Sequence, residues 1–276
     1  MQDRYAGDVG DFGKFGLLRH LCGETAQNKH PRLKPGVIWY RVADETHNKD
    51  GECTGYLVES DTNDRRFRAC DPDLYEALRY IVKTGRSIAA LQRVLAGQSP
   101  DFRAGVLLLP GGLYWSDVVR HGRIRVTCPR AEWFQGAMKA TAESNLVFLD
   151  PDNGIECANL RPTQGRSRKY VFRSEIRSLV ERKPRPNIVI YHHLDHRRGK
   201  AIEKTANQLE CLSKELALSS AEQPFGVLFH RCTLRAFLIL PNQGDRQVLL
   251  KRTEALVEKW SDGGKPGPHF TGPIPA

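Results

Sequence analysis

The amino-acid sequence predicts an α/β fold: a Rossmann-like, mostly parallel sheet with a C-terminal antiparallel hairpin and a helical insertion. Three observations carry this expectation. Short apolar runs, too short for helices, recur at 37–42, 145–149, 187–191 and 225–229. Segments with helical patterning lie between them, the alternation expected of a parallel sheet covered on both faces. Polar clusters rich in Asp and His follow three of the runs, at 44–50, 150–156 and 192–196, where open parallel sheets place their working residues.

The opening segment, Tyr5-Ala6-Gly7-Asp8-Val9-Gly10-Asp11-Phe12-Gly13-Lys14-Phe15-Gly16, spaces four glycines three apart with Asp8, Asp11 and Lys14 interleaved. On a helix these polar residues form one stripe. The apolar continuation Leu17-Leu18 implies packing, and the backbone N–H groups offer an anion site. The run 37–42 is the first strand. Asp71 reads as the N-cap of a helix over 72–82, followed after Gly85 by a second over 87–96; residues 60–105 or so are the helical insertion. Helices over 131–142, 174–182 and 199–218 precede the next three strands. A fifth run, 237–240, lies close enough to 225–229 to pair with it as an antiparallel hairpin. Residues 1–262 read as one domain, and 263–276, rich in Gly and Pro, as an extended tail.

Composition narrows the function classes. Of 276 residues, 40% are apolar and 27% charged, which is globular and excludes a disordered chain. No apolar run approaches the roughly 18 residues that span a bilayer, and the first residues lack the apolar core of a signal peptide, so a cytoplasmic protein with no membrane partner is expected. Seven cysteines form an odd set without a C-x-x-C pair, which suggests reduced, mostly buried thiols rather than a disulfide framework or zinc site. Lys and Arg number 42 against 32 Asp and Glu, a net charge of +10. A polyanion is the expected partner, and nucleic acid is the commonest. Arg166, Arg168 and Lys169 follow one acidic motif, and Arg197 and Arg198 follow a histidine cluster, where they would meet substrate phosphates.

The densest constellation is Val147-Phe148-Leu149-Asp150-Pro151-Asp152-Asn153-Gly154-Ile155-Glu156. A buried strand delivers Asp150, and Pro151 with Gly154 turns the chain so that carboxylates gather. Such clusters suit Mg²⁺ or Mn²⁺, which offset their mutual repulsion. Tyr191-His192-His193-Leu194-Asp195-His196 ends another strand; adjacent histidines face opposite sides of a sheet, so only one of His192 and His193 aims at a given site. Zinc is disfavoured because H-E-x-x-H spacing is absent. The loop Asp44-Glu45-Thr46-His47-Asn48-Lys49-Asp50-Gly51 is the third polar cluster.

The opening Y-A-G-D-x-x-D-x-x-K-x-x-L-L together with V-F-L-D-P-D-N-G-I-E resembles an uncharacterised bacterial family. More distantly, the chain is similar to ribosomal RNA adenine methyltransferases that open on H-A-G-N-x-x-D-x-x-K. Ala6, Gly7, Asp8, Asp11 and Lys14 match that pattern, with Asp8 in place of Asn. The order of strand, helical insertion, strand ending in Asp-Pro, further strand and terminal hairpin also matches. The resemblance implies a Rossmann-like fold and S-adenosylmethionine as cofactor. The chain departs from it twice. The glycines of the methyltransferases' D-x-H-A-G-x-G loop are missing from Glu45-Thr46-His47-Asn48-Lys49-Asp50-Gly51, which keeps the His. Their D-P-P-[YF], whose aromatic stacks on the target base, is here Asp150-Pro151-Asp152-Asn153. Asp150-Pro151-Asp152 also looks like the D-x-D pair of topoisomerase-primase domains.

These departures are acidic, and the sequence is read first as a divalent-metal-dependent phosphodiester hydrolase, a nuclease. Asp150 and Asp152 hold Mg²⁺ or Mn²⁺ with Glu156 or Asp44; His192 or His193 serves as base or leaving-group acid; Lys14 or Lys169 stabilises the phosphorane charge. Asn153, His47, Arg166, Arg168, Lys169, Arg197 and Arg198 contact substrate. The alternatives are an S-adenosylmethionine-dependent nucleic-acid methyltransferase and a catalytically dead nucleic-acid binding module.

Overall fold

Apolar runs without polar alternation become strands covered on both faces. The computed structural model describes residues 1–23, 33–99, 109, 112–119, 129–194, 200–261 and 268–276. Its central sheet contains β1 (Pro35–Trp39), β2 (Leu113–Trp115), β3 (Leu146–Asp150), β6 (Asn187–His193), β7 (Phe225–Arg231), β8 (Thr233–Leu240) and β9 (Phe270–Pro275). Between β3 and β6, β4 (Gly154–Ile155) and β5 (Tyr170–Val171) pair as a separate two-stranded sheet. The seven strands lie in the order β2-β1-β3-β6-β8-β7-β9. β2, β1, β3 and β6 are parallel, β8 runs antiparallel between β6 and β7, and β9 runs antiparallel on the outer edge of β7. This is a Rossmann-like α/β fold, and the predicted hairpin is β7–β8.

The helices are α1 (Val9–Cys22), a short α2 (Asp61–Asn63) running into the π-turn Asp64–Arg68, α3 (Pro72–Thr84), α4 (Ile88–Leu95), α5 (Pro129–Ala140), α6 (Arg173–Glu181), α7 (Ala201–Glu215) and α8 (Arg246–Lys259). Asp71 caps α3 by accepting from the Leu74 amide, as the sequence predicts, and Ser87 caps α4 in the same way. Successive strand residues face opposite sides. Val37, Trp39 and Phe148 pack with α1, α3, α4 and α8, whereas Ile38, Tyr40, Val147 and Leu149 pack with α5, α6 and α7. The helices of the insertion therefore share one apolar cluster with α1. Among the described residues no helix is long and apolar enough to cross a membrane.

Three features differ from the sequence reading. The expected tail is part of the sheet: β9 covers the β7 edge, where its prolines are tolerated because an edge strand has one unpaired side. The N-terminus of α1 is capped from within the chain, and its glycines serve packing. The Asp8 side chain itself accepts from the Gly10 and Asp11 amides, and a Cβ on Gly13 or Gly16 would lie 2.8 Å from the Phe229 ring or 2.3 Å from Trp260. They let the helix approach its neighbours closely. Finally, Cys53 and Cys232 are joined as a disulfide, while Cys22 and Cys70 are buried thiols and Cys157 is an exposed one. Cys128 lies outside the described residues.

Candidate active site

β1 and β3 end side by side, with Trp39 paired to Asp150, and this edge opens into a cavity of about 330 Å³. Its floor is an ion pair between the two motifs singled out in the sequence. Lys14 of α1 places Nζ 3.0 Å from Oδ1 and 3.1 Å from Oδ2 of Asp150, and 3.2 Å from Oδ1 of Asp11. The same ammonium stands 4.6 Å from the centre of the Tyr191 ring. Burial pushes the Asp11 carboxyl up to about 7, against the pull of Lys14 and with Asp8 and Asp150 adding to the rise. Burial also raises Asp150, opposed by Lys14. Burial alone would lower Lys14, yet Asp150 and Asp11 hold its pKa above the ordinary value, so the lysine is a fixed cation.

β6 supplies the facing wall. Its side chains alternate, so Tyr191 and His193 line the cavity and His192 does not. His192 accepts from the Ile155 amide through Nδ1 at 3.2 Å, fastening β4 to β6. The Nε–H of Arg235 donates to the Tyr191 hydroxyl at 2.6 Å, which leaves that hydroxyl free to donate to His193 Nε2 at 2.9 Å. Burial, reinforced by Arg235 and Lys14, pushes His193 down to about 3. Burial thus favours the neutral imidazole, whose Nε2 lies against the Tyr191 hydroxyl. Of the two histidines expected at the site, His193 lines the cavity and His192 joins β6 to β4 instead.

The turn after β3 carries Asp152, whose carboxylate meets the Met1 ammonium at 2.5 Å, Gln2 Nε2 at 3.1 Å and Lys169 at 3.8 Å. Burial would raise its pKa, but the Met1 ammonium and these neighbours bring it below the ordinary value. Lys169 also pairs with Glu45. Asn153 lines the cavity, its amide donating to the Lys169 carbonyl at 2.9 Å. Lys169 ends the 3₁₀ turn Gly165–Lys169, which also carries Arg166 and Arg168; neither arginine lines the cavity.

The proposed metal ligands are not assembled. Asp44 accepts from the Arg4 amide, and Glu156 accepts from the Arg173 amide and pairs with its guanidinium; neither lines the cavity. Asp150 and Asp152 are each neutralised by a protein ammonium. No group of three or more His, Cys, Asp or Glu is placed to hold a metal ion among the described residues, so the donor set does not fit Mg²⁺ or Mn²⁺. His47 is exposed and outside the cavity wall. Arg197 and Arg198 lie outside the described residues.

Sequence reasoning missed Tyr5, Tyr191 and Arg235 as cavity residues. Arg235 left a readable signal, a charge followed by the apolar run Ala236-Phe237-Leu238-Ile239-Leu240, where burial demands a partner. A scan against protein-family models found no match, and a search of curated proteins found none.

Proposed function

We propose that this chain is a nucleic-acid-directed methyltransferase dependent on S-adenosylmethionine, and that the cavity at the end of β3 is its active site. One observation carries the reading. The two motifs behind the methyltransferase resemblance, 136 residues apart, meet in the Lys14–Asp150 ion pair on the cavity floor. A divalent-metal hydrolase is less well supported, because Lys14 and Met1 already neutralise the carboxylates it would use.

The donors on the cavity wall suit the cofactor's chemistry. Lys49 offers a cation for its carboxylate, Asp50 a carboxylate for its ammonium or ribose hydroxyls, and Tyr5 a hydroxyl-bearing ring. The volume is at the lower end for small-molecule sites. When bound, S-adenosylmethionine supplies an electrophilic methyl group. Asp150 would accept a hydrogen bond from the substrate amine and orient its lone pair, and Lys14 would hold that carboxylate in place. The net positive charge and the Arg166–Arg168–Lys169 turn favour a phosphate-bearing substrate.

The test is transfer of a radiolabelled methyl group from S-adenosylmethionine to RNA and DNA without added metal. Wild type should label one of them and Asp150→Asn should fall at least about 100-fold, the range for removing a group that acts in the transition state. Metal-dependent cleavage of either nucleic acid without methylation would replace this reading with the hydrolase.

A further inference from the structure

The Cys53–Cys232 pair lies outside every role assigned so far, and both residues line the cavity. They are 179 residues apart in sequence with Cα atoms 6.5 Å apart, within the range a disulfide bridges. Cys53 follows the loop after β1, which supplies Lys49, Asp50 and Gly51 to the wall. Cys232 is the tip of the β7–β8 hairpin, alone between the paired residues Arg231 and Thr233. Its φ is +60°, a conformation that favours glycine and costs another residue roughly 1 kcal/mol. Turn chemistry therefore gives no reason for a cysteine there; the position of its sulfur opposite Cys53 does.

Cys53 packs against the apolar cluster that contains α1, whereas Cys232 stands at the hairpin tip outside both clusters. Cys232 is exposed and Cys53 half-buried, so an exchange partner can reach the sulfurs.

We propose that Cys53 and Cys232 are a reversible dithiol–disulfide site that ties the loop after β1 to the β7–β8 hairpin across the cavity. The oxidant is a low-molecular-weight disulfide. One cysteine thiolate attacks it, forming a mixed disulfide and expelling one thiolate. The second cysteine, deprotonated, attacks the protein-bound sulfur, forming the Cys53–Cys232 bond and expelling the other. Two electrons pass to the reagent, which leaves as two thiols carrying the two protons. Excess dithiol runs the exchange backward.

The folded protein is equilibrated with oxidised or reduced glutathione, alkylated and mapped by mass spectrometry, with amide hydrogen exchange followed in both states. Oxidation should protect Cys53 and Cys232 together and link their peptides, and reduction without denaturant should expose both. Exchange on reduction should quicken at residues 49–54 and 230–234 and stay unchanged in β3. Cys232→Gly, which suits the positive φ, should fold and exchange the same in both glutathione states. Failure of the two peptides to link in oxidised glutathione, reduction only in denaturant, or unchanged exchange at both segments would overturn the proposal. None of these readouts requires a methyl donor, so they stand apart from the methyltransferase test.

Discussion

Two buried ion clusters flank the sheet, and they are built from similar parts to opposite ends. On one side Arg130 of α5 grips Glu175 of α6 with Nε at 2.5 Å and Nη2 at 3.0 Å, and donates further to the Ser167 and Tyr170 carbonyls. Tyr40 donates its hydroxyl to the same carboxylate, and the guanidinium lies over the Tyr40, Trp133 and Phe172 rings. One cation meets one carboxylate, and both are surrounded by partners. On the other side, Lys14 faces Asp150 and Asp11 together, and the cluster opens into a cavity. Burial, with neighbouring carboxylates adding to it, raises the Asp11 and Asp150 carboxyls against the pull of Lys14. A satisfied pair holds helices together; an unbalanced cluster beside empty space is where a ligand can complete the charge.

The contrast can be broken from the closed side first. Arg130→Met leaves Glu175 buried without its counterion and should cost about 3–5 kcal/mol, the range for halving a buried pair, read by urea unfolding. Lys14→Met should cost less, about 2 kcal/mol near pH 8, because the cavity admits water and the carboxylates can take up protons instead. That loss should shrink toward pH 5; an equal cost at both pH values would mean that the carboxylates stay charged.

A pH series sharpens the same point. The Asp11 carboxyl is raised in the folded state from 3.8 to about 7, so folding favours its protonated form. Its contribution is complete below about pH 4 and is lost as pH rises through about 7. The stability difference between wild type and Asp11→Asn should therefore change across this window and flatten above it, and a flat difference throughout would contradict the buried-carboxyl account. The smallest effect is His192→Ala, which orphans the Ile155 amide and should cost about 1 kcal/mol in thermal unfolding.

The sheet was legible because it is buried on both faces. Runs such as Leu146-Val147-Phe148-Leu149 leave no alternation to confuse with a surface strand, and Asp150 breaks the run where the strand ends. β9 was hidden because Gly272, Pro273 and Pro275 read as breakers, and only the geometry of an edge strand makes room for them. β2, only three residues long, carries too little pattern to recognise. In the site, Lys14 and Asp150 were visible as polar residues within apolar segments, but their pairing was not, because residues 136 apart leave no local trace. That blindness also produced the metal set. Carboxylates counted along a sequence look uncompensated until Lys14 and the Met1 ammonium are placed beside them. The disulfide was missed for the same reason, since Cys53 and Cys232 carry no spacing signal.

On the proposed function, S-adenosylmethionine rather than a metal ion occupies the cavity beside Lys14 and Asp150. Calorimetric titration of the wild-type protein with S-adenosylmethionine in chelator, then with Mn²⁺ alone, tests it most directly. S-adenosylmethionine should bind saturably, less tightly to Lys49→Met, and Mn²⁺ should not bind at the site. Tight Mn²⁺ binding abolished by Asp150→Asn, with no heat from S-adenosylmethionine, would contradict the proposed function.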